Sequence, residues 1–136
     1  MDLPLSKHRR MPVEEFDTRI ALAHAAKQAR ERGPIDGTRF DGNKMYQDRY
    51  WHADYFAGVA ELRGVARQAG KTLVELAFQW LLSQPLVDSI ILGASRLEQL
   101  EENLKACEGG TLDAEVLARC DAIWKCLRGV TPKYNR

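Results

Sequence analysis

Long apolar runs are missing from this chain, and no stretch approaches the roughly 20 residues that a membrane helix needs. The start, MDLPLSKHRR, also lacks the apolar segment of a secretory signal, so the cytoplasm is the expected compartment. Cysteine is scarce: Cys107, Cys120 and Cys126 are odd in number and form no Cys-x-x-Cys pair, which argues against a secreted disulfide framework. They read as small apolar core residues. An excess of one charge is lacking too. With 20 basic against 19 acidic residues and a net charge of +1, no global field draws the chain to nucleic acid or to a membrane surface. The one basic cluster, Lys7, His8, Arg9 and Arg10, is terminal and reads as a solvated tail. Elsewhere, His24 and His52 are isolated from other ligands, so no metal site is assigned. No Ser-His-Asp or Cys-His order with an oxyanion signature can be assembled either.

What is present describes one domain: 136 residues, 45% hydrophobic and 29% charged, without repeats or low-complexity tracts. A helix is expected from Val13 to Arg32, with Pro12 at its start, acids early, bases late and Gly33-Pro34 as its stop. Phe16, Ile20 and Ala23 share its apolar face. The stretch from Gly33 to Asp48 is rich in glycine, aspartate and asparagine and reads as a surface loop. After it, Tyr55, Val59, Leu62, Ala66 and Ala69 recur at helical spacing, and Gly70 closes the segment.

Thr72 and Glu75 have the spacing of a capping box and open a helix that presents Leu73, Leu76, Ala77, Trp80 and Leu81. Ser83-Gln84-Pro85 ends it. Leu86 to Leu92, LVDSIIL, is short, apolar and β-branched, as in a parallel strand covered on both faces. A helix from Ser95 to Cys107 should turn Leu97, Leu100 and Leu104 inward. The last, Thr111 to Leu127, should bury Val116, Leu117, Cys120, Ile123, Trp124 and Leu127, with Gly129 as its stop. The fold class so read is mainly α with one or two short strands. Tyr46, Tyr50, Trp51, Tyr55 and Phe56 flank a helix start and read first as packing anchors, with a ligand edge as the alternative.

The junction ILGASRLEQLEEN, from Ile91 to Asn103, carries the chemistry. Ser95 and Glu98 are spaced as a capping box, which accounts for the serine and the glutamate but leaves Gly93 and Arg96 unexplained. Glycine at a strand end lets a ligand approach the backbone, and the free amides of a helix start favour an anion. Arg96 adds an always-charged fork suited to phosphate. A helix dipole contributes about 0.3 to 1 kcal/mol to anion binding, whereas a hydrogen bond to a charged partner contributes about 1.5 to 3. Preference for a phosphorylated ligand would therefore rest on Arg96.

ILGASRLEQLEENL, preceded by SQPLVDSI and followed at the terminus by TPKYNR, resembles the C-terminal part of the aldo-keto reductases, particularly bacterial members and relatives of the potassium-channel β subunits. The resemblance runs from about Gly37, GTRFDGNKMYQDRYWHADYF, through Arg136 and leaves residues 1–36, a helical segment, outside it. It implies the last β/α unit and terminal helix of a (β/α)8 TIM barrel, gripping the adenosine 2′-phosphate end of NADP. Carried over by motif position, Gly93, Ser95, Arg96, Gln99 and Asn103 would be cofactor contacts, with Glu102 reaching the adenine. Gln99 and Asn103 are four apart, which places them on one helix face.

The family's tyrosine acid, its lysine and aspartate, and its histidine lie in an N-terminal half that has no counterpart here. None is carried over, and a barrel of this kind needs about 250 residues. The resemblance therefore implies the cofactor-binding part of an NADP-dependent carbonyl or alcohol oxidoreductase, truncated and inactive by itself, with a carbonyl substrate engaged only in a complete barrel. The alternatives are a non-catalytic helical binding or assembly module built from a barrel remnant, and a folding fragment without evolved function. In either case the lone strand 86–92 must satisfy its backbone groups, by pairing between chains or by conversion to another structure.

Overall fold

A computed structural model of the chain describes residues 13–127. The basic cluster Lys7–Arg10, the proposed stop at Gly129 and the terminal TPKYNR lie outside the described residues, as do the side chains of Phe16 and Ile20. Among the described residues six helices follow one another: α1 (Val13–Glu31), α2 (Lys44–Tyr50), α3 (Ala53–Gln68), α4 (Leu73–Leu82), α5 (Leu97–Glu108) and α6 (Ala114–Leu127). α3 is the hub, packing on α1, α4 and α6, while α4 carries α5. No described helix is long and apolar enough to cross a membrane.

Local signals set most of these boundaries. α3 ends in a Schellman motif: Gly70 takes φ 66°, Lys71 N donates to Ala66 O at 2.9 Å and Gly70 N donates to Arg67 O at 3.1 Å. The capping box of α4 is complete, with Glu75 N donating to Thr72 Oγ1 at 3.1 Å and Thr72 N donating to the Glu75 carboxylate at 2.7 Å. The backbone and hydroxyl hydrogen bonds from Thr72 hold the Glu75 carboxyl below the usual carboxylate range. Its contribution is therefore full above the ordinary carboxylate value and is lost as pH falls through the lowered one. Thr72→Ala is expected to reduce stability by about 1 kcal/mol and to flatten the acid dependence. Urea midpoints measured from neutral to acidic pH check both effects.

The core gathers Val65 and Ala66 from α3, Leu76 from α4, Leu112 from the α5–α6 turn and Cys120 from α6, with Leu62, Leu73, Trp80, Val116, Leu117 and Ile123 packed around them. Gly58 lets Leu127 of α6 pack closely on α3, since a Cβ there would come within 2.8 Å of Leu127 Cδ1 and the leucine would have to shift. Trp80 Nε1 donates to Asp121 Oδ1 at 2.8 Å and its ring meets Trp124, tying α4 to α6. Burial pushes the Cys120 thiol up. Of the three cysteines expected inside, Cys120 is buried and Cys107 half-buried, but Cys126 is exposed.

Several expectations are corrected. The stretch 33–48 is not all loop: Asn43 caps α2 by accepting from Tyr46 N at 3.2 Å, a short helix whose few residues give no readable period. Ala23, Ala77 and Trp124 are exposed, as is Val59 in large part. The space beside α4 goes instead to Gln79, 3% exposed.

Among the described residues there is no β-strand, so the short strands of the expected fold class are absent. Residues 88–94 are irregular, and no backbone N–H from Asp88 to Ala94 donates to another backbone group among the described residues. Leu86 and Ile91 stand 93% and 98% exposed. A strand is defined by its neighbours, and an apolar run without a partner has no ladder to join.

The same cause turns α5 over. Leu97, Leu100 and Leu104 face solvent at 65%, 37% and 51% exposure, while the opposite side rests on the body through buried Ala106 and half-buried Gln99, Asn103 and Cys107.

Candidate functional site

The Gly93–Asn103 junction keeps its candidate residues close because they lie within one loop and the two helical turns after it. α5 begins one residue later than the sequence suggests, with Arg96 at the N-cap position in an extended conformation (φ −139°, ψ 152°) and no side-chain cap. The Ser95–Glu98 capping box is therefore absent. Ser95 turns to Gln99 instead: its backbone N–H and its hydroxyl both donate to Gln99 Oε1 at 3.1 Å. One turn further on, Asn103 Nδ2 donates to Gly93 O at 3.4 Å. Gln99 and Asn103 thus fold back along one face of α5 onto the loop and hold Gly93 and Ser95 against the helix start.

Arg96 is exposed, and its guanidinium makes no hydrogen bond or ion pair with any described residue. Beside it, a Cβ built on Gly93 would meet nothing within 4 Å, so the backbone there lies open to approach. Glu102 is exposed and its carboxylate has no hydrogen-bond partner among the described residues, which leaves it outside the cluster formed by Gly93, Ser95, Gln99 and Asn103. The amide oxygen of Gln99 sits where an anionic oxygen would receive the Ser95 donors. The two Ser95 donors, a backbone N–H and a hydroxyl at a helix start, are of the kind that bind a phosphate oxygen.

Gln79 was not legible as a supporting residue, although it lies between Leu76 and Trp80 on the apolar stripe. Its Nε2 donates to Ala106 O at 3.4 Å, and its Oε1 is buried without a partner among the described residues. A Cβ on Gly109 would overlap its amide, so a glycine there lets the end of α5 close over the glutamine. Ser83 Oγ adds a second link, donating to Gln79 O at 2.7 Å and accepting from Leu112 N at 2.8 Å. These contacts fix the C-terminal end of the helix whose N-terminal end carries the site. Among the described residues no group of three His, Cys, Asp or Glu side chains is placed to hold a metal ion.

The sequence matches the model of the aldo/keto reductase family over residues 14–125. The chain belongs to the aldo/keto reductase family. The match takes in α1 as well as the segment from Gly37 onward. Aldo-keto reductase family 7 member A3 of Homo sapiens is 32% identical over 110 residues, covering 72% of this chain and 33% of that protein. Aflatoxin B1 aldehyde reductase member 2 of Mus musculus is 31% identical over 110 residues, 72% of this chain and 30% of that protein. L-glyceraldehyde 3-phosphate reductase of Escherichia coli strain K12 is 42% identical over 60 residues, 44% of this chain and 17% of that protein. The chain thus spans about a third of the length of the first two relatives.

Proposed function

We propose that this chain is the cofactor-binding part of an NADP-dependent carbonyl or alcohol oxidoreductase, with Arg96 meeting the adenosine 2′-phosphate and Gly93, Ser95, Gln99 and Asn103 forming the surrounding contacts. The observation that carries the reading is the unpaired, exposed Arg96 guanidinium beside the open Gly93 backbone at the N-terminus of α5. In such a reaction NADP supplies the hydride chemistry. The residues here bind and orient: Arg96 selects the extra phosphoryl group, Ser95 offers two donors, and the Gln99 amide leaves Ser95 to make room. Glu102 reaches the adenine only if its side chain swings in from solvent. The proton-donating group lies outside these residues.

Titration of the chain with NADPH and NADH, followed by calorimetry, tests the reading. Tighter binding of NADPH supports it, and equal affinity contradicts it. Residues 1–136 alone should show no carbonyl-dependent NADPH oxidation, and turnover would show that the proton donor is present after all. A second reading, an assembly module in which the unpaired segment 86–92 and the α5 leucines pack against another copy, is favoured by their exposure. Light scattering during size-exclusion chromatography separates it from the first, since the module requires a dimer.

A further inference from the structure

We infer a second binding site, unrelated to the nucleotide loop, in the cleft between α1 and α3: a site for an elongated apolar molecule that ends in a carboxylate. The cleft encloses about 620 Å³, within the roughly 300 to 1,000 Å³ of small-molecule pockets. One wall is α1, where Ala26 and Ala29 present only methyl groups and leave the volume open. The other is the face of α3 from Tyr55 to Arg67, a run of about 18 Å at the helical rise.

The two ends of this run differ in chemistry. At the α2 end, Trp51 and Phe56 meet edge to face with centroids 4.9 Å apart, and Trp51 Nε1 donates to Arg30 O at 3.2 Å, so the indole is anchored and its polar edge satisfied. That end suits an apolar body. At the other end stand Arg63 and Arg67, one helical turn apart and exposed, with neither guanidinium hydrogen-bonded or ion-paired to a described residue. No described lining residue is acidic. Two unpaired guanidinium groups at one end of an otherwise apolar trough select against a neutral or cationic head and in favour of a carboxylate. The aromatics Tyr50, Trp51, Tyr55 and Phe56, beyond their part in packing, become the apolar lining of this site.

The test uses the full 136-residue chain, with laurate as probe and lauryl alcohol as its neutral counterpart, both below the concentrations at which they self-associate. Trp51 fluorescence reports binding, and Trp51→Phe identifies its share, because Trp80 and Trp124 lie together elsewhere. Laurate should give a saturable response, about tenfold tighter than the alcohol. Arg63→Gln/Arg67→Gln should remove that difference and leave alcohol binding unchanged. Ala29→Trp, which fills the cleft from an exposed position of α1, should abolish both responses with helicity intact. Equal binding of acid and alcohol by the unmodified chain would overturn the assignment. So would a missing laurate response, which is the result if another segment of the chain covers the cleft.

Discussion

Leu76→Ala should lower the stability of the chain by about 2 to 5 kcal/mol, the range for removing a leucine from a packed core. Leu76 is 2% exposed and touches the cluster in which α3, α4 and α6 meet, with Val65, Ala66, Leu112 and Cys120 around it. Small domains are stable by about 5 to 15 kcal/mol, so this one truncation removes a large share of the total. The loss should be close to the full range, because the neighbours most able to collapse into the gap, Ala66 and Cys120, are themselves small. Leu76→Met, which keeps volume, should cost less than about 1.5 kcal/mol. Urea denaturation checks both variants: the midpoint should fall with an unchanged slope. A loss below about 1 kcal/mol for the alanine variant would place the core elsewhere.

Arg96→Ala should weaken NADPH binding by about tenfold or more, the loss of one charge-assisted contact, and should leave NADH binding nearly unchanged. The Arg96 guanidinium makes no hydrogen bond or ion pair with a described residue, so its removal should hardly move the urea midpoint. That separation of binding from stability is what a packing role would not produce. Because the guanidinium is solvent-exposed, the effect should shrink as ionic strength rises and the Debye length contracts. Arg96→Lys should recover only part of the affinity, since an ammonium lacks the planar fork. Equal losses for NADPH and NADH would assign Arg96 to a contact other than the 2′-phosphate.

How much of this was legible follows the range of the interactions involved. α3, α4 and α6 were readable to within a few residues because their signals are local: the Thr72–Glu75 box, the left-handed Gly70 and the spacing of Ala66, Leu76 and Cys120. The segment 86–92 was misread because LVDSIIL states a preference for burial, while pairing depends on neighbours that the sequence of this segment cannot specify. α5 shows the same limit from the other side. Its period announced an apolar face correctly, but the face it turns to the body carries Gln99, Asn103 and Ala106, and none of the described residues covers Leu97, Leu100 and Leu104.

At the candidate site, sequence spacing brings Gly93, Ser95, Gln99 and Asn103 together, since all lie within two turns of one helix start. It gave no warning that Gln99, and not Glu98, would take up the Ser95 donors. An amide four residues on reaches back to a serine placed one residue before the N-cap, and the one-residue shift in the helix start is enough to change the partner. Gln79 escaped because a glutamine on an apolar stripe is indistinguishable by period from a solvated one. Its burial is decided by the approach of Gly109 from the far end of α5.

The most direct test is to locate the nucleotide on the chain. In the ¹⁵N-labelled protein titrated with adenosine 2′,5′-bisphosphate, the backbone amides of Gly93, Ser95 and Arg96 and the side-chain amides of Gln99 and Asn103 should shift together, with the Gln99 signal reporting its release from Ser95. Shifts confined to other parts of the molecule, or none at saturating ligand, would contradict a phosphate site at the start of α5.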